Sequence, residues 1–220
     1  MSELVVHLDD RGVHVDDVIA VARHGARVEL TERALAGVAA TRARIDELAA
    51  SAEPKYGIST GFGALATRHI SPELRTQLQR SLIRSHAAGM GAPVEREVVR
   101  ALVFLRLKTL ASGRTGVRPV VVETMAAMLN AGITPKVLEF GSLGCSGDLA
   151  PLSHCALVLM GEGTAFGPDG VEAPSADLLA AAGITPVVLE AKEGLALING
   201  TDGMLGMLCM AIVDLEQLCD

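Results

Sequence analysis

The sequence predicts a mainly α fold with a minor β component. Apolar residues recur at helical spacing over most of the 220 residues, and glycines or prolines mark the ends of these periodic stretches. Only a few short runs are β-branched. Because half of the residues are hydrophobic, the chain can bury a sizeable core. We therefore expect a helical domain carrying two long loops.

The N-terminal part begins with a small mixed unit. Residues 5–8 and 27–30 are predicted strands on either side of a helix over 15–23. Thr31 is a candidate N-cap, and the helical pattern that follows it runs to residue 48. Residues 53–70 then lose all periodicity, with a proline and three glycines, and are predicted to form a long loop.

Helices follow at residues 71–88, 93–112 and 118–130. Residues 133–147 are predicted to be irregular and to lead into a helix that starts near Asp148, and residues 164–174 are rich in turn formers. A short helix at 175–182 and a strand at 186–189 precede a final helix over 193–220, broken at Asn199-Gly200. Because residues 203–213 are apolar or glycine throughout, we expect that last helix to be buried on all faces.

Charge and targeting signals narrow the class of protein. The net charge is -7 without a run of Lys or Arg, which is unfavourable for binding nucleic acid or an anionic membrane surface. The acidic N-terminus lacks the features of a secretory signal, and the longest apolar run is about half a membrane span, so we expect a cytoplasmic protein without a transmembrane helix. The four cysteines show no metal-site spacing, and no metal is expected.

The most specific motif lies before the helix near Asp148. Residues 141–152 read GSLGCSGDLAPL, which closely resembles the signature of the aromatic amino acid ammonia-lyase and aminomutase family. In that family an Ala-Ser-Gly tripeptide cyclises autocatalytically into a methylidene-imidazolone, and the resemblance assigns this role to Cys145, Ser146 and Gly147. Gly147 suits the ring closure because its amide nitrogen must approach the carbonyl of residue 145 closely. Loss of water from Ser146 would leave the electrophilic methylene.

A second segment, residues 56–63, reads YGISTGFG and resembles the glycine-rich lid loop of the family, with Ser59 where Asn is more usual. The resemblance makes Tyr56 the catalytic base that removes the β-proton of the substrate. The remaining lid residues are Gly57, Thr60, Gly61, Phe62 and Gly63. The glycines also fit a dinucleotide fingerprint formally, but the strand and helix that such a site requires are missing from the pattern, so no nucleotide is expected.

Two further segments complete the resemblance. Ser85-His86 matches the selectivity segment of family members that act on histidine, which implies that His86 binds the substrate imidazole. Residues 195–201 read LALINGT, and by resemblance Asn199 lies against the cyclised ring and the substrate carboxylate. Taken singly, the histidine could be an ordinary core or surface residue, and the Asn-Gly pair an ordinary turn.

The resemblance implies the elimination of ammonia from L-histidine to give urocanate, within a homotetramer. It also implies an active-site domain at residues 1–198 and the start of a central helical bundle at 199–220. Family members are more than twice this length, and their C-terminal halves supply an arginine for the substrate carboxylate, so we expect this chain to be inactive alone. The alternatives are a tyrosine- or phenylalanine-directed lyase or aminomutase, and a non-catalytic truncated relative.

Overall fold

The computed structural model describes residues 4–51, 53–144 and 147–219, and it begins with the predicted mixed unit. Strand β1 (Val5–Leu8) pairs in parallel with β2 (Arg27–Leu30), and helix α1 (Val15–Ala22) connects them. Helix α2 (Glu32–Ala50) follows, and the Thr31 side chain accepts a hydrogen bond from the amide of Ala34, at 3.2 Å. This N-cap is the one expected from the sequence.

The remaining helices confirm the mainly α fold. They are α3 (Pro72–His86), α4 (Arg96–Ala111), α5 (Pro119–Asn130), α6 (Leu149–Leu159), α7 (Ser175–Ala181), α8 (Glu193–Ile198) and α9 (Asp202–Cys219). Helix α4 lies at the centre, since 12 of its 16 residues are buried, and it packs against α1, α5 and α9. The predicted break between α8 and α9 is present at residues 199–201.

Two small antiparallel sheets were not predicted from the sequence. Strand β3 (Met90–Pro93) pairs with β5 (Leu138–Phe140), while β4 (Thr134–Pro135), β6 (Thr164–Phe166) and β7 (Glu172–Pro174) form a three-stranded sheet. The segments 133–147 and 164–174 are therefore less irregular than expected. Helix α4 starts at Arg96 instead of residue 93, because Pro93 pairs with Leu138 in the sheet. Strands of two or three residues have no measurable periodicity.

The predicted strand at 186–189 is wrong. Its β-branched residues adopt an extended path without a partner strand among the residues that the structure describes. The amide of Val187 donates instead to the carbonyl of Leu159, at 2.9 Å, at the end of α6. Val187 and Leu189 are buried. Their apolar side chains therefore pack between this loop and the helix and do not form part of a sheet.

Within this chain, helix α9 is buried on one side only. Its inner side approaches α4 closely, since a Cβ at Gly206 would lie 3.2 Å from that of Ala101. Its outer side exposes six large apolar side chains: Leu205, Met207, Leu208, Ile212, Leu215 and Leu218. By length and composition alone the stretch Glu193–Cys219 could cross a membrane. Core helices of soluble proteins meet the same criterion, and 44% of its most apolar window is buried against the rest of the chain.

Candidate active site

The tripeptide to which the resemblance assigns the electrophile ends at a buried glycine. Cys145 and Ser146 lie outside the described residues, whereas Gly147 is buried directly before α6. A Cβ on Gly147 would lie 3.2 Å from Leu149 Cδ2 and 3.5 Å from Asn199 Oδ1. An added Cβ would therefore press on the Leu149 side chain and lie in van der Waals contact with Asn199. The structure thus brings together Gly147 and Asn199, which the sequence assigned to one site.

Asp148 anchors this segment to the start of α9. The amides of Gly203 and Met204 donate to Asp148 Oδ2, at 2.8 and 3.0 Å, and the Ser142 hydroxyl donates to Oδ1, at 2.6 Å. The amide of Asp148 donates to the carbonyl of Gly200, at 2.6 Å. The carboxylate is fully buried, and its position at a helix N-terminus favours the negative charge. Its side chain therefore caps α9, and not α6, which it precedes in sequence.

A buried ion pair lies beneath Asn199. Arg106 Nη1 donates to the carbonyls of Ala196 and Asn199, at 3.1 and 3.3 Å, and Nη2 pairs with the Asp202 carboxylate. Both side chains are nearly inaccessible to solvent. A Cβ on Gly200 would overlap the Arg106 guanidinium, so only glycine fits against this side chain. These contacts fix the turn that carries Asn199.

Sequence reasoning missed Arg106 and Asp202. Arg106 is permanently charged and lies in the apolar part of α4. A charge in that position requires a buried partner, and this requirement could have identified Arg106 as a site residue. The partner lies 96 residues away, so no local pattern could identify it. We refer to Arg106, Asp148, Asn199 and Asp202 as the floor of the site.

The loop that resembles a lid is ordered by its own polar side chains. The buried Ser59 hydroxyl accepts from the amide of Lys55, at 2.9 Å, and Thr60 Oγ1 accepts from the amide of Gly57, at 3.3 Å. Gly57 has a φ of +69°, which favours glycine. A bridge between Thr60 and His69 closes the loop. Ser59 thus supports the loop backbone from within.

Tyr56 and His86 lie on the exposed side of the site, which we call the rim. Tyr56 is 55% exposed, and its ring meets Phe62 edge to face, with centroids 6.3 Å apart. His86 is the last residue of α3 and is partly buried. Asn199 of the floor and Tyr56 and His86 of the rim line one cleft, with about 750 Å³ of space that includes open solvent. Its other lining residues are Phe62, Gly63, Leu82, Leu149, Leu195 and Ile198.

The cleft can hold a small amphipathic ligand. Leu82, Leu149, Leu195 and Ile198 supply apolar surface, while a phenol, an imidazole and an amide supply polar groups at its edges. Within residues 4–51, 53–144 and 147–219, no group of three His, Cys, Asp or Glu side chains could hold a metal ion. Cys155 on α6 is fully buried, and burial raises its pKa, so it is not a nucleophile.

These features define a class of protein, which comparison with known proteins identifies. The family model for aromatic amino acid lyases matches residues 13–220, and the chain belongs to this family. A histidine ammonia-lyase of Streptomyces coelicolor is 72% identical over 94% of the chain, and a tyrosine ammonia-lyase of Cupriavidus metallidurans is 47% identical over 95%. The chain spans about 40% of the length of these curated relatives.

Solved structures of the family have the same fold. A histidine ammonia-lyase from Trypanosoma cruzi superposes with a TM-score of 0.88, at 35% identity. The match covers 96% of this chain and 40% of that one. The fold class predicted from the sequence is therefore confirmed, and so is the family that the motifs indicated.

Proposed function

We propose that the protein to which this chain belongs is a histidine ammonia-lyase, which converts L-histidine to urocanate and ammonia. The observation that carries the proposal is the cleft in which Tyr56, His86 and Asn199 lie together beside Gly147. The 72% identity to a relative of that name supports the choice of substrate. The proposal includes a cytoplasmic homotetramer, with an active-site domain at residues 1–198 and a bundle that begins at 199–220.

The electrophile in this proposal is a methylidene-imidazolone formed from Cys145, Ser146 and Gly147. The residues around it fit such a group, because Gly147 is buried without a side chain and Asn199 Oδ1 lies close by. When formed, the group would accept electron density from the substrate and activate its amino group for departure. The chain itself uses Asp148 to hold the segment against the N-terminus of α9.

The other residues act on the substrate. Tyr56 removes a proton from the β-carbon, the bond between the α-carbon and nitrogen breaks, and a carbon–carbon double bond forms as ammonia leaves. His86 binds the imidazole of the substrate, and the side chain of Asn199 contacts the electrophile and the carboxylate. The lid residues Gly57, Thr60, Gly61, Phe62 and Gly63 close over the cleft and exclude water. No metal or nucleotide takes part.

Replacement of the serine tests the electrophile. Ser146→Ala in the full-length protein is expected to abolish turnover without unfolding the protein, because it removes the only source of the methylene carbon. Cys145→Ala is the matched control and should keep its activity, since residue 145 contributes only its carbonyl carbon to the ring. Mass spectrometry of the peptide over 140–155 should find the mass lowered by the water lost on ring closure and on dehydration. Near-normal turnover of Ser146→Ala would refute the proposal.

A second candidate substrate is tyrosine or phenylalanine, which the 47% identity to a tyrosine ammonia-lyase supports. The variant His86→Leu distinguishes histidine from the alternative substrates. If histidine is the substrate, the variant should lose about tenfold or more in kcat/KM for histidine and gain relative activity toward phenylalanine, because the imidazole loses its polar partner. Product analysis with the three amino acids measures this shift. Unchanged selectivity would assign His86 a purely structural role.

A further inference from the structure

The last turn of α3 contains three polar groups in mutual contact. The Ser85 hydroxyl lies 2.9 Å from the carbonyl oxygen of Leu82, and His86 Nδ1 lies 2.9 Å from the same oxygen. Ser85 Oγ and His86 Nδ1 are 3.0 Å apart. These distances are all within normal hydrogen-bonding range, so the positions of the protons follow from which groups can donate.

The carbonyl oxygen of Leu82 can only accept. If His86 Nδ1 carried a lone pair, two acceptors would face each other at 2.9 Å, which is repulsive. His86 Nδ1 therefore carries a proton and donates. Ser85 donates its own proton to the carbonyl and thereby turns an oxygen lone pair toward the Nδ1 proton. In a neutral imidazole the second nitrogen, Nε2, is then an acceptor.

We propose that the carbonyl of Leu82 and the hydroxyl of Ser85 fix His86 as a hydrogen-bond acceptor toward the cleft, so that the site selects amino acids whose side-chain ring carries an N–H or O–H donor. The inference rests on the proposed function and deepens it. Ser85 is a positioning residue that acts through the ring of His86.

The walls of the cleft strengthen this selection. The cleft that His86 lines also contains Leu82, Leu149, Leu195 and Ile198, whose side chains offer no hydrogen-bond partner to a polar ring atom of the ligand. A ring that offers only a lone pair would place two acceptors together in this apolar surrounding, and an unmade hydrogen bond there is costly. Histidine can donate in its neutral and in its protonated form, whereas phenylalanine cannot donate at all.

Nitrogen NMR tests the proton position directly. The full-length protein, labelled with ¹⁵N-histidine, is studied in the solid state at about pH 8, where an ordinary imidazole is neutral. The signals of His86 are identified by their loss in His86→Gln. We expect a protonated Nδ1 and a bare Nε2. His154 is the internal reference, because the amide of Gly89 donates to its Nε2, at 3.1 Å, and requires the same tautomer.

Ligand competition tests the selection. An alanine bearing a pyrrole ring, which only donates, should inhibit about tenfold more strongly than one bearing a thiazole ring, which only accepts. Ser85→Ala should reduce this ratio by about threefold, because the Nδ1 proton loses one of its two acceptors. Ser81→Ala, an exposed serine one turn earlier on α3, is the matched control and should leave the ratio unchanged.

The outcomes separate this inference from the proposed function. A proton on Nε2 of His86, on both nitrogens, or equal inhibition by the two rings overturns the inference even if histidine is converted to urocanate. If instead the tautomer and the ratio are as expected and no ammonia is released, the inference stands and the proposed function is wrong. The NMR measurement requires neither substrate nor turnover.

Discussion

The floor and the rim of the cleft are built in opposite ways. Asp148 in the floor is fully buried and receives three hydrogen bonds on its carboxylate, and Arg106 is 2% exposed against Asp202. Tyr56 in the rim is 55% exposed, and its aromatic contact is a single edge-to-face pair with Phe62. The chain thus fixes the floor, of which Asn199 lines the cleft, by buried contacts, and it leaves the rim open to solvent.

The difference indicates what the floor and the rim each require. The turn with Asn199 and the segment that ends at Gly147 must hold a strict geometry, and buried charge-assisted hydrogen bonds supply it. The rim must admit a ligand, so its side chains must leave the cleft open to solvent. Mutations in the floor should therefore change the free energy of unfolding, and mutations in the rim should change catalysis.

The largest effect is expected at Arg106. Arg106→Met leaves the Asp202 carboxylate buried without its partner and should lower the free energy of unfolding by about 3–5 kcal/mol. Denaturant unfolding of the full-length protein measures this loss. The double variant Arg106→Met, Asp202→Leu removes both charges and should recover much of it, because no unpaired charge remains. A loss below about 1 kcal/mol in the single variant would mean that the floor is not fixed by this ion pair.

An intermediate, pH-dependent effect is expected at His154, which connects the helix that follows the floor with the segment that follows the rim helix. This residue lies on α6, which begins at the floor, and accepts a hydrogen bond from Gly89, just beyond the rim helix α3. Burial lowers the pKa of His154 in the folded state. As the pH falls below about 6.5, the unfolded chain binds the proton first, so stability is lost until the pH passes the folded pKa.

His154→Gln should therefore flatten the stability profile. The glutamine amide oxygen can accept from Gly89 without titrating, so stability between about pH 7 and pH 5 should fall less in the variant than in the wild type. Unfolding midpoints at a series of pH values measure the difference. His24→Gln, at a position that is exposed in the structure, serves as the control and should not alter the profile. Parallel profiles for wild type and His154→Gln would show that protonation of His154 does not cause the loss of stability.

The smallest effect on unfolding is expected at Tyr56. Tyr56→Phe removes an exposed hydroxyl and should change the free energy of unfolding by less than about 0.5 kcal/mol. As the proposed base, however, it should lower kcat by about a hundredfold or more with little change in KM. Steady-state kinetics on the full-length protein provide the test. A change confined to KM would mean that Tyr56 positions the substrate and does not take the proton.

Much of this molecule could be predicted from the sequence, because the signals concerned are local. Helical periodicity and end signals gave the helices within a few residues, including the break at Asn199-Gly200. Chemical specificity in short motifs was enough to indicate the family, since the segments 141–152 and 56–63 have residue types that few other chains combine at that spacing. The roles of Cys145 and Ser146, which the structure leaves undescribed, still rest on that resemblance.

Only the tertiary structure decided how these segments meet. The pairing of Arg106 with Asp202 and the capping of α9 by Asp148 join residues 96 and 55 positions apart, and no local pattern encodes such a contact. Strands β3, β4 and β5 exist because distant backbone segments come into register, whereas β6 and β7 form a local hairpin. The strand expected at 186–189 fails because none of the described residues pairs with it. The sequence determined that α9 is apolar on all sides over residues 203–213. Which side is covered depends on where α4 lies, because burial is a property of the assembled fold and not of the helix itself.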